Sequence, residues 1–431
     1  MGRVQRRRKW KWRKRSIKED GDSICIQLVQ WLGEQKCILP SNIQWAYFSG
    51  TGRGLYTTMY LPEGSFLIRL PKHIMITIHT VMQSGIGSWF LNASEVESFS
   101  NQQILAAFLI WERHLGLDSR WAAYINSLPE NYTTPLTMSK REKALLPKYI
   151  HDGVQEQEQT VLESYKLVIT VIKKFSLCKH CGKLLLTDIF TFHSFLWAWN
   201  TVNTRAVYVK PTVSVVRLRG ENTLALAPFL DLFNHSCYVN TRVEETDESY
   251  SLFSSDACPS NSQVFISYGP HANYKLYIEY GFVVSNNPHD VVPVTVEQID
   301  KVMNSVHAVP SVTFSKARNK LIKNNRLNEN LCFSNEGPSF TLQAYIFVRE
   351  VRDFDKKVLQ QKIFTCEFTN VEKEVINSVV IRLLCDKIAK YQQQLDIMLQ
   401  PNQCSESFSV AKILVYNHLQ LLEKVHRNIF V

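Results

Sequence analysis

The apolar pattern of this chain changes period along its length, and the order of those changes constrains the fold more than any single motif. Residues 42–80 are strand-like and rich in turn signals, with Leu61-Pro-Glu-Gly64 ahead of the apolar run Phe66-Leu67-Ile68-Arg69-Leu70-Pro71. From 100 to 200 the period becomes helical: Ile104, Leu105, Phe108, Leu109 and Leu115 recur on one face, Trp121–Pro129 reads as a helix stopped by proline, and Phe190–Trp199 as an aromatic-rich helix. Strand signals return over 206–283, clearest in Val264-Phe-Ile-Ser-Tyr268. Residues 371–399 and 408–430 then predict long amphipathic helices, with Val415, Leu419, Leu422, Val425 and Ile429 along one face of the second. Two β-rich stretches that must meet across a helical insert predict an α+β architecture and not a parallel doubly wound sheet.

The 431 residues suffice for two or three domains. The expected division is a basic, disordered tail over 1–20, a β-rich domain over 21–285 whose helical insert spans about 95–200, and a helical, substrate-binding-like domain over 286–431. Net charge is +10, but ten Lys/Arg and no acid lie within residues 1–18; the other 39 basic residues balance 39 acidic ones. The basic character therefore belongs to a tail and not to a broad nucleic-acid face. Arg6-Arg-Arg-Lys-Trp-Lys-Trp-Arg-Lys-Arg15 suits a nuclear import signal or a weak phosphate contact, and Trp10 and Trp12 favour that over a merely solubilising run.

Ten cysteines are scattered, with one close pair, Cys178-Lys-His-Cys181, and no second pair at zinc-site spacing. The pair is read as structural or incidental, and no metal is expected. No run approaches the roughly 20 apolar residues of a membrane span. An intracellular protein with reduced thiols, present in nucleus and cytoplasm, is expected.

Taken singly, the remaining motifs decide little. Gly50-Thr-Gly52-Arg53-Gly54-Leu55 lacks dinucleotide-binding spacing and precedes strand-like residues, so it reads as a tight turn where backbone can approach a ligand. Leu226-Ala-Pro228-Phe-Leu-Asp231-Leu-Phe-Asn234-His235-Ser236 ends an apolar run in polar groups, which an ordinary Asx turn explains equally well. Val264–Pro270 with Tyr268, and Glu279-Tyr280-Gly281-Phe282 after it, place two tyrosines near strand ends, a common amphipathic position.

The ordered set is specific where its members are not. The glycine turn, LPEG, an insert carrying Trp121-x-x-Tyr124-Ile-x-x-Leu-Pro129, Asn203-Thr-Arg205-Ala-Val, Asp231-Leu-x-Asn-His-Ser236, Ser267-Tyr-Gly269 and Glu279–Phe282 together resemble the SET-domain methyltransferases. The insert and helical C-terminal domain point to the subclass typified by plant Rubisco large-subunit methyltransferase. The resemblance covers residues 42–285 well, and the remainder in helical character only.

That resemblance implies a knot-like core, with the DLFNHS segment threaded beside EYGF, and S-adenosyl-L-methionine as cofactor. It implies that Gly52, Arg53, Gly54 and Leu55 close one side of the cofactor site. Arg205 would meet the cofactor carboxylate, Asp231, Asn234 and His235 would hold the cofactor, and Tyr280, Gly281 and Phe282 would pack on its adenine and line the pocket. Some relatives carry arginine directly after Gly-Leu; here Tyr56 stands there, which puts more weight on Arg205. Tyr268 is the implied catalytic tyrosine, and Tyr280 the second catalytic residue, narrowing the channel and limiting the number of methyls. No acid/base pair is required, because in-line methyl transfer depends mainly on positioning.

The expected reaction is methylation of a protein lysine, histone or otherwise. The expected chain is a monomer with no membrane partner and a weak nucleic-acid contact through its tail. Histidine methylation is the alternative enzyme reading, against which the retained Tyr268 and Tyr280 argue, since a narrow aromatic channel suits an alkylamine. A non-catalytic SET-fold interaction module is the third reading.

Overall fold

The computed structural model describes residues 23–93, 96–210, 218–219, 223–306, 316–350, 356–365, 367–400 and 404–429. The basic run over 1–18, and the import or nucleic-acid expectation attached to it, lies outside them. The chain forms two compact units: residues 1–132 with 157–269, and residues 133–156 with 270–431. The insert expected as one piece is therefore divided, and its residues 133–156 belong with the C-terminal unit.

The first unit is β-rich with helices from the insert. After α1 (Ser23–Glu34), β1 (Ile43–Phe48), β2 (Gly52–Thr57) and β3 (Phe66–Pro71) come α2 (Asn101–Leu115), α3 (Phe192–Arg205), β4 (Ala206–Tyr208) and β5 (Leu224–Leu226). The unit closes with β6 (Asn234–His235), β7 (Thr241–Glu245), β8 (Ser249–Ser254) and β9 (Ser262–Ile266). Helix α2 starts on a capping box in which the Ser100 hydroxyl accepts from the Gln103 amide and Gln103 Oε1 accepts from the Ser100 amide. Its Ile104, Leu105, Phe108 and Leu109 are fully buried, as the helical spacing predicts.

Three small sheets result, ordered β1-β2-β9-β6, β3-β8-β7 and β4-β5. The first positions the site. Strand β2 pairs antiparallel with β9, Leu55 opposite Val264, while β6 joins the other edge of β9 in parallel, Asn234 opposite Phe265 and His235 opposite Ile266. Glycine turn, Asn-His pair and Tyr268 thus converge on one strand.

The second unit is mainly helical, with α4 (Val296–Val306), α5 (Phe340–Glu350), α6 (Asn370–Leu399) and α7 (Glu406–Ile429), and a small antiparallel sheet of β10 (Val291–Pro293), β11 (Cys332–Ser334) and β12 (Gly337–Pro338). Its core includes Val292, Phe333, Leu342, Val380, Leu384, Phe408, Val415 and Leu422. Helix α6 is capped by a reciprocal Thr369–Glu372 box. Sheets of mixed strand direction beside segregated helices make the fold α+β. Among the described residues, no helix is long and apolar enough to cross a membrane.

Candidate active site

Strand β6 is only two residues long, so its place is set by neighbours and not by propensity. It follows the short turn Leu230–Leu232, entered through Phe229 at φ 69°, a positive φ that a buried aromatic residue rarely adopts. Strain at a non-glycine residue directly upstream of a polar cluster is a feature of over-determined sites. The Ser236 amide then donates to the Ile266 carbonyl at 3.0 Å, which fixes the register of β6 on β9.

Asn234 reaches the glycine turn. Its Nδ2 donates to the Arg53 carbonyl at 2.9 Å and lies 3.5 Å from the Thr51 carbonyl. This contact requires glycine at position 54: a Cβ there would stand 2.5 Å from Asn234 Nδ2 and 2.6 Å from Gln263 Nε2. The Arg53 side chain turns elsewhere, donating to the Ser127 carbonyl at 2.8 Å, so this residue meets the cluster through its backbone. Tyr56 is buried in β2 with its hydroxyl on Gln44 Oε1 at 2.8 Å, a packing role in place of a second arginine.

His235 and Tyr268 are interlocked. The Tyr268 amide donates to His235 Nδ1 at 3.0 Å, and the two rings lie 5.1 Å apart. Accepting at Nδ1 fixes that nitrogen as unprotonated when the imidazole is neutral. The Tyr268 hydroxyl donates to the Phe233 carbonyl at 2.7 Å, which commits its proton and leaves oxygen lone pairs to act as acceptors.

Arg205, the last residue of α3, pairs with Asp231: Nη1 lies 3.1 Å from Oδ2 and 3.2 Å from the Asp231 carbonyl. The Tyr124 hydroxyl donates to the same Oδ2 at 3.0 Å, and the Tyr132 hydroxyl lies 2.7 Å from Thr201 Oγ1. Burial alone would lower the guanidinium pKa; the charge of Asp231, with Tyr132 and Tyr124, outweighs it and raises the pKa. Burial, and then the Asp231 charge, pushes the Tyr124 hydroxyl well above its ordinary 10.0. The arginine is thus a permanent cation and Tyr124 a permanent donor. Arg205 Nε is buried with no hydrogen-bond partner. A charged donor held in this way suits an anionic acceptor, so the residues present fit a carboxylate-bearing cofactor. The Asp231 side chain is only 2% exposed, which places it behind Arg205 as its counterion.

Tyr280, Gly281 and Phe282 belong to the second unit. Tyr280 ends a π-helical turn, Leu276–Tyr280, of the kind often found at functional positions, and Gly281 and Phe282 follow it. Gly281 takes φ 78°, and a Cβ there would stand 2.6 Å from the Thr133 carbonyl carbon and 2.7 Å from the Thr134 nitrogen. The Tyr280 ring lies 6.2 Å from His271 and 6.1 Å from Phe282, and burial, then Glu279, raises its hydroxyl pKa.

The glycine turn, Arg205, Asp231, Asn234, His235 and Tyr268 are therefore gathered in one unit. Two participants escaped the sequence reading. Tyr124 was visible as part of the insert motif, but not as the partner of an aspartate 107 positions away. Tyr132 carried no signal.

The SET-domain family model matches residues 52–269, the span that holds the glycine turn, Arg205, Asp231, the Asn234–His235 strand and Tyr268. The chain belongs to the SET-domain family and is a methyltransferase that uses S-adenosylmethionine. It is 34% identical to SET domain-containing protein 4 of Mus musculus over 79% of this chain and 76% of that protein, and 35% identical to the Homo sapiens protein of that name over 76% and 72%. Actin-histidine N-methyltransferase of Gallus gallus is 28% identical over 65% of this chain and 46% of its own length. Among solved structures, the SET domain of LSMT bound to methyllysine and AdoHcy superposes with a TM-score of 0.61 at 19% identity, covering 94% of this chain and 91% of that one. Rubisco LSMT bound to AdoMet gives the same TM-score and coverage at 18% identity.

Proposed function

We propose that the chain is a protein lysine N-methyltransferase acting on histone or other protein lysines, with Tyr268 orienting the acceptor amine. The observation that carries this reading is the Tyr268 hydroxyl donating to the Phe233 carbonyl while its backbone amide is held by His235. An oxygen so fixed can accept from an amine N–H and aim the nitrogen lone pair. When bound, the cofactor would supply a sulfonium-borne methyl group for transfer to the amine nitrogen, leaving as the neutral thioether. Attack needs a neutral amine, and free lysine titrates near about 10.4. Desolvation by aromatic rings shifts that equilibrium toward the neutral form.

Arg205 would hold the cofactor carboxylate through its buried Nε, Asn234 and His235 the rest of the cofactor beside the Gly52–Leu55 turn, and Asp231 would position Arg205. Tyr280, Gly281 and Phe282 are assigned to the cofactor and channel on the sequence resemblance alone. We assign the protein to nucleus and cytoplasm, as a monomer, on the basic segment 1–18 and the chain's composition.

Cell extract incubated with methyl-labelled cofactor tests this. Label should appear on lysine and fall about 10²-fold or more with Tyr268→Phe, the loss expected when the reacting group is no longer positioned. Unchanged turnover by that variant would remove Tyr268 from the role. The second reading, histidine methylation, is favoured by the likeness to actin-histidine N-methyltransferase, and fragmentation spectra carrying the methyl on histidine would establish it in place of lysine.

A further inference from the structure

The Cys178-Lys-His-Cys181 pair lacks a partner pair in the sequence, but the fold of the first unit supplies one. These residues form a tight hairpin after Leu177, which bridges to Leu185. The Cys178 amide donates to the Leu184 carbonyl at 2.9 Å, and the Gly182 amide returns to the Cys178 carbonyl at 2.9 Å. Gly182 takes φ 63°, so the chain doubles back and the amides of Leu184 and Lys183 donate to the Cys181 sulfur. Amide donors on sulfur stabilise the thiolate, the form that binds metal. Cys181 lies three residues further along the same hairpin.

The hairpin delivers buried Cys178 to the last turn of α2, where His114 Nε2 stands 3.3 Å from its sulfur. The His180 ring sits edge-on to His114 at 5.6 Å. Ligand atoms of His114, Cys178 and His180 all lie within 4.8 Å of one another, a grouping of His, Cys or acidic side chains found nowhere else among the described residues. Ligands of a tetrahedral zinc stand about 3.6 Å apart when Zn–S is about 2.3 Å and Zn–N about 2.05 Å, so little movement would bring these atoms onto one ion.

We propose that His114, Cys178 and His180 form a structural Zn²⁺ site that ties the hairpin to α2, with Cys181, which stands outside that group of three, swinging in on the hairpin as the fourth ligand. Two thiolates and two imidazoles are the soft, tetrahedral donor set that selects zinc, and four protein ligands leave no open position for catalysis. Asp118 Oδ2 lies 2.9 Å from His180 Nε2, the outer-sphere carboxylate that orients a metal-binding imidazole and leaves Nδ1 to the ion. The hairpin also needs an external tie. Leu177, Leu184 and Leu185 are each nearly half exposed, so little apolar burial holds it in place. On binding, each thiol releases its proton to solvent.

Metal analysis of the full chain, purified without a metal-affinity step, should find one zinc per chain. Co²⁺ exchanged into the site should show tetrahedral d–d absorption with thiolate-to-cobalt charge transfer. Cys178→Ser combined with Cys181→Ser should abolish both. Asp118→Asn should retain the metal but weaken it about 10–100-fold in chelator competition, and it keeps the test valid if the double variant fails to fold. A folded chain that holds no zinc and gives no thiolate–cobalt band would overturn the proposal. So would a Cys178–Cys181 disulfide in protein kept under reducing conditions.

Discussion

Each unit buries a polar cluster, and the two clusters differ in one respect. In the second unit the Tyr149 hydroxyl lies 2.6 Å from His418 Nδ1, and His418 Nε2 faces Asp290 at 3.5 Å. The Asp290 carboxylate in turn accepts from the Asn273 amide at 2.9 Å, from Asn273 Nδ2 at 2.7 Å and from the Val291 amide at 3.1 Å. His418 Nε2 makes no hydrogen bond, but the atom it faces is a carboxylate of the same cluster. In the first unit Asp231 is as well satisfied, by Arg205 and Tyr124, yet the guanidinium keeps one buried donor, Nε, with no acceptor. An unsatisfied buried donor costs about 1–3 kcal/mol, so the charged Nε of Arg205 reads as a place for an anionic ligand.

Perturbing the two units separately extends the contrast. The largest effect is expected from Asp231→Ala, which leaves the Arg205 charge buried without its counterion. It should destabilise the first unit by about 3–5 kcal/mol in denaturant unfolding and weaken cofactor binding with it. A fall in stability with unchanged affinity would mean that Arg205 serves the fold alone. Gly281→Ala should cost the second unit about 2–5 kcal/mol, from left-handed strain plus the clash with Thr133 and Thr134 backbone. A melting temperature unchanged within error would show that the turn relaxes freely.

The smallest effect concerns Glu142 in the second unit. It closes a capping box on Ser139 and accepts from the Ser405 amide at 2.7 Å. Burial raises its pKa, but the amides of Ser405 and Ser139 outweigh that and hold it at about 2 instead of the ordinary 4.5. A depressed carboxylate contributes stability above its unfolded pKa and loses it as pH falls toward the folded one. Glu142→Gln should therefore cost about 0.5–2 kcal/mol near neutrality, a cap-sized loss on a partly exposed group. The gap to the unsubstituted chain should narrow as pH drops from 4.5 toward 2. A gap constant over that range would remove the carboxylate as its cause.

The two regions also differ in how far the sequence discloses them. Helices α6 and α7 fall within two residues of the stretches that periodicity marks, because one amphipathic face buried on a core is a local pattern. Strand β6 carries no such pattern. Its position comes from pairing with Phe265–Ile266 and from the Asn234 amide reaching the glycine turn 181 positions away. The site was therefore legible only as an ordered set of motifs. The transfer of residues 133–156 to the second unit was hidden because the whole insert shares one helical period. Asp231 shows the same limit: its motif names the residue but not its contacts, a carboxylate held by Arg205 and Tyr124. The Cys178–His114 approach spans 64 positions, beyond any spacing rule.

Calorimetric titration of S-adenosylmethionine into the intact chain and two variants tests the central assignment most directly. Cofactor should bind the unsubstituted chain and Tyr268→Phe with the same affinity, because Tyr268 acts on the amine. Arg205→Met should lose about 2 kcal/mol or more, at least thirtyfold in affinity, as a charge-assisted contact disappears. Equal binding by Arg205→Met, or loss of binding in Tyr268→Phe, would contradict the account.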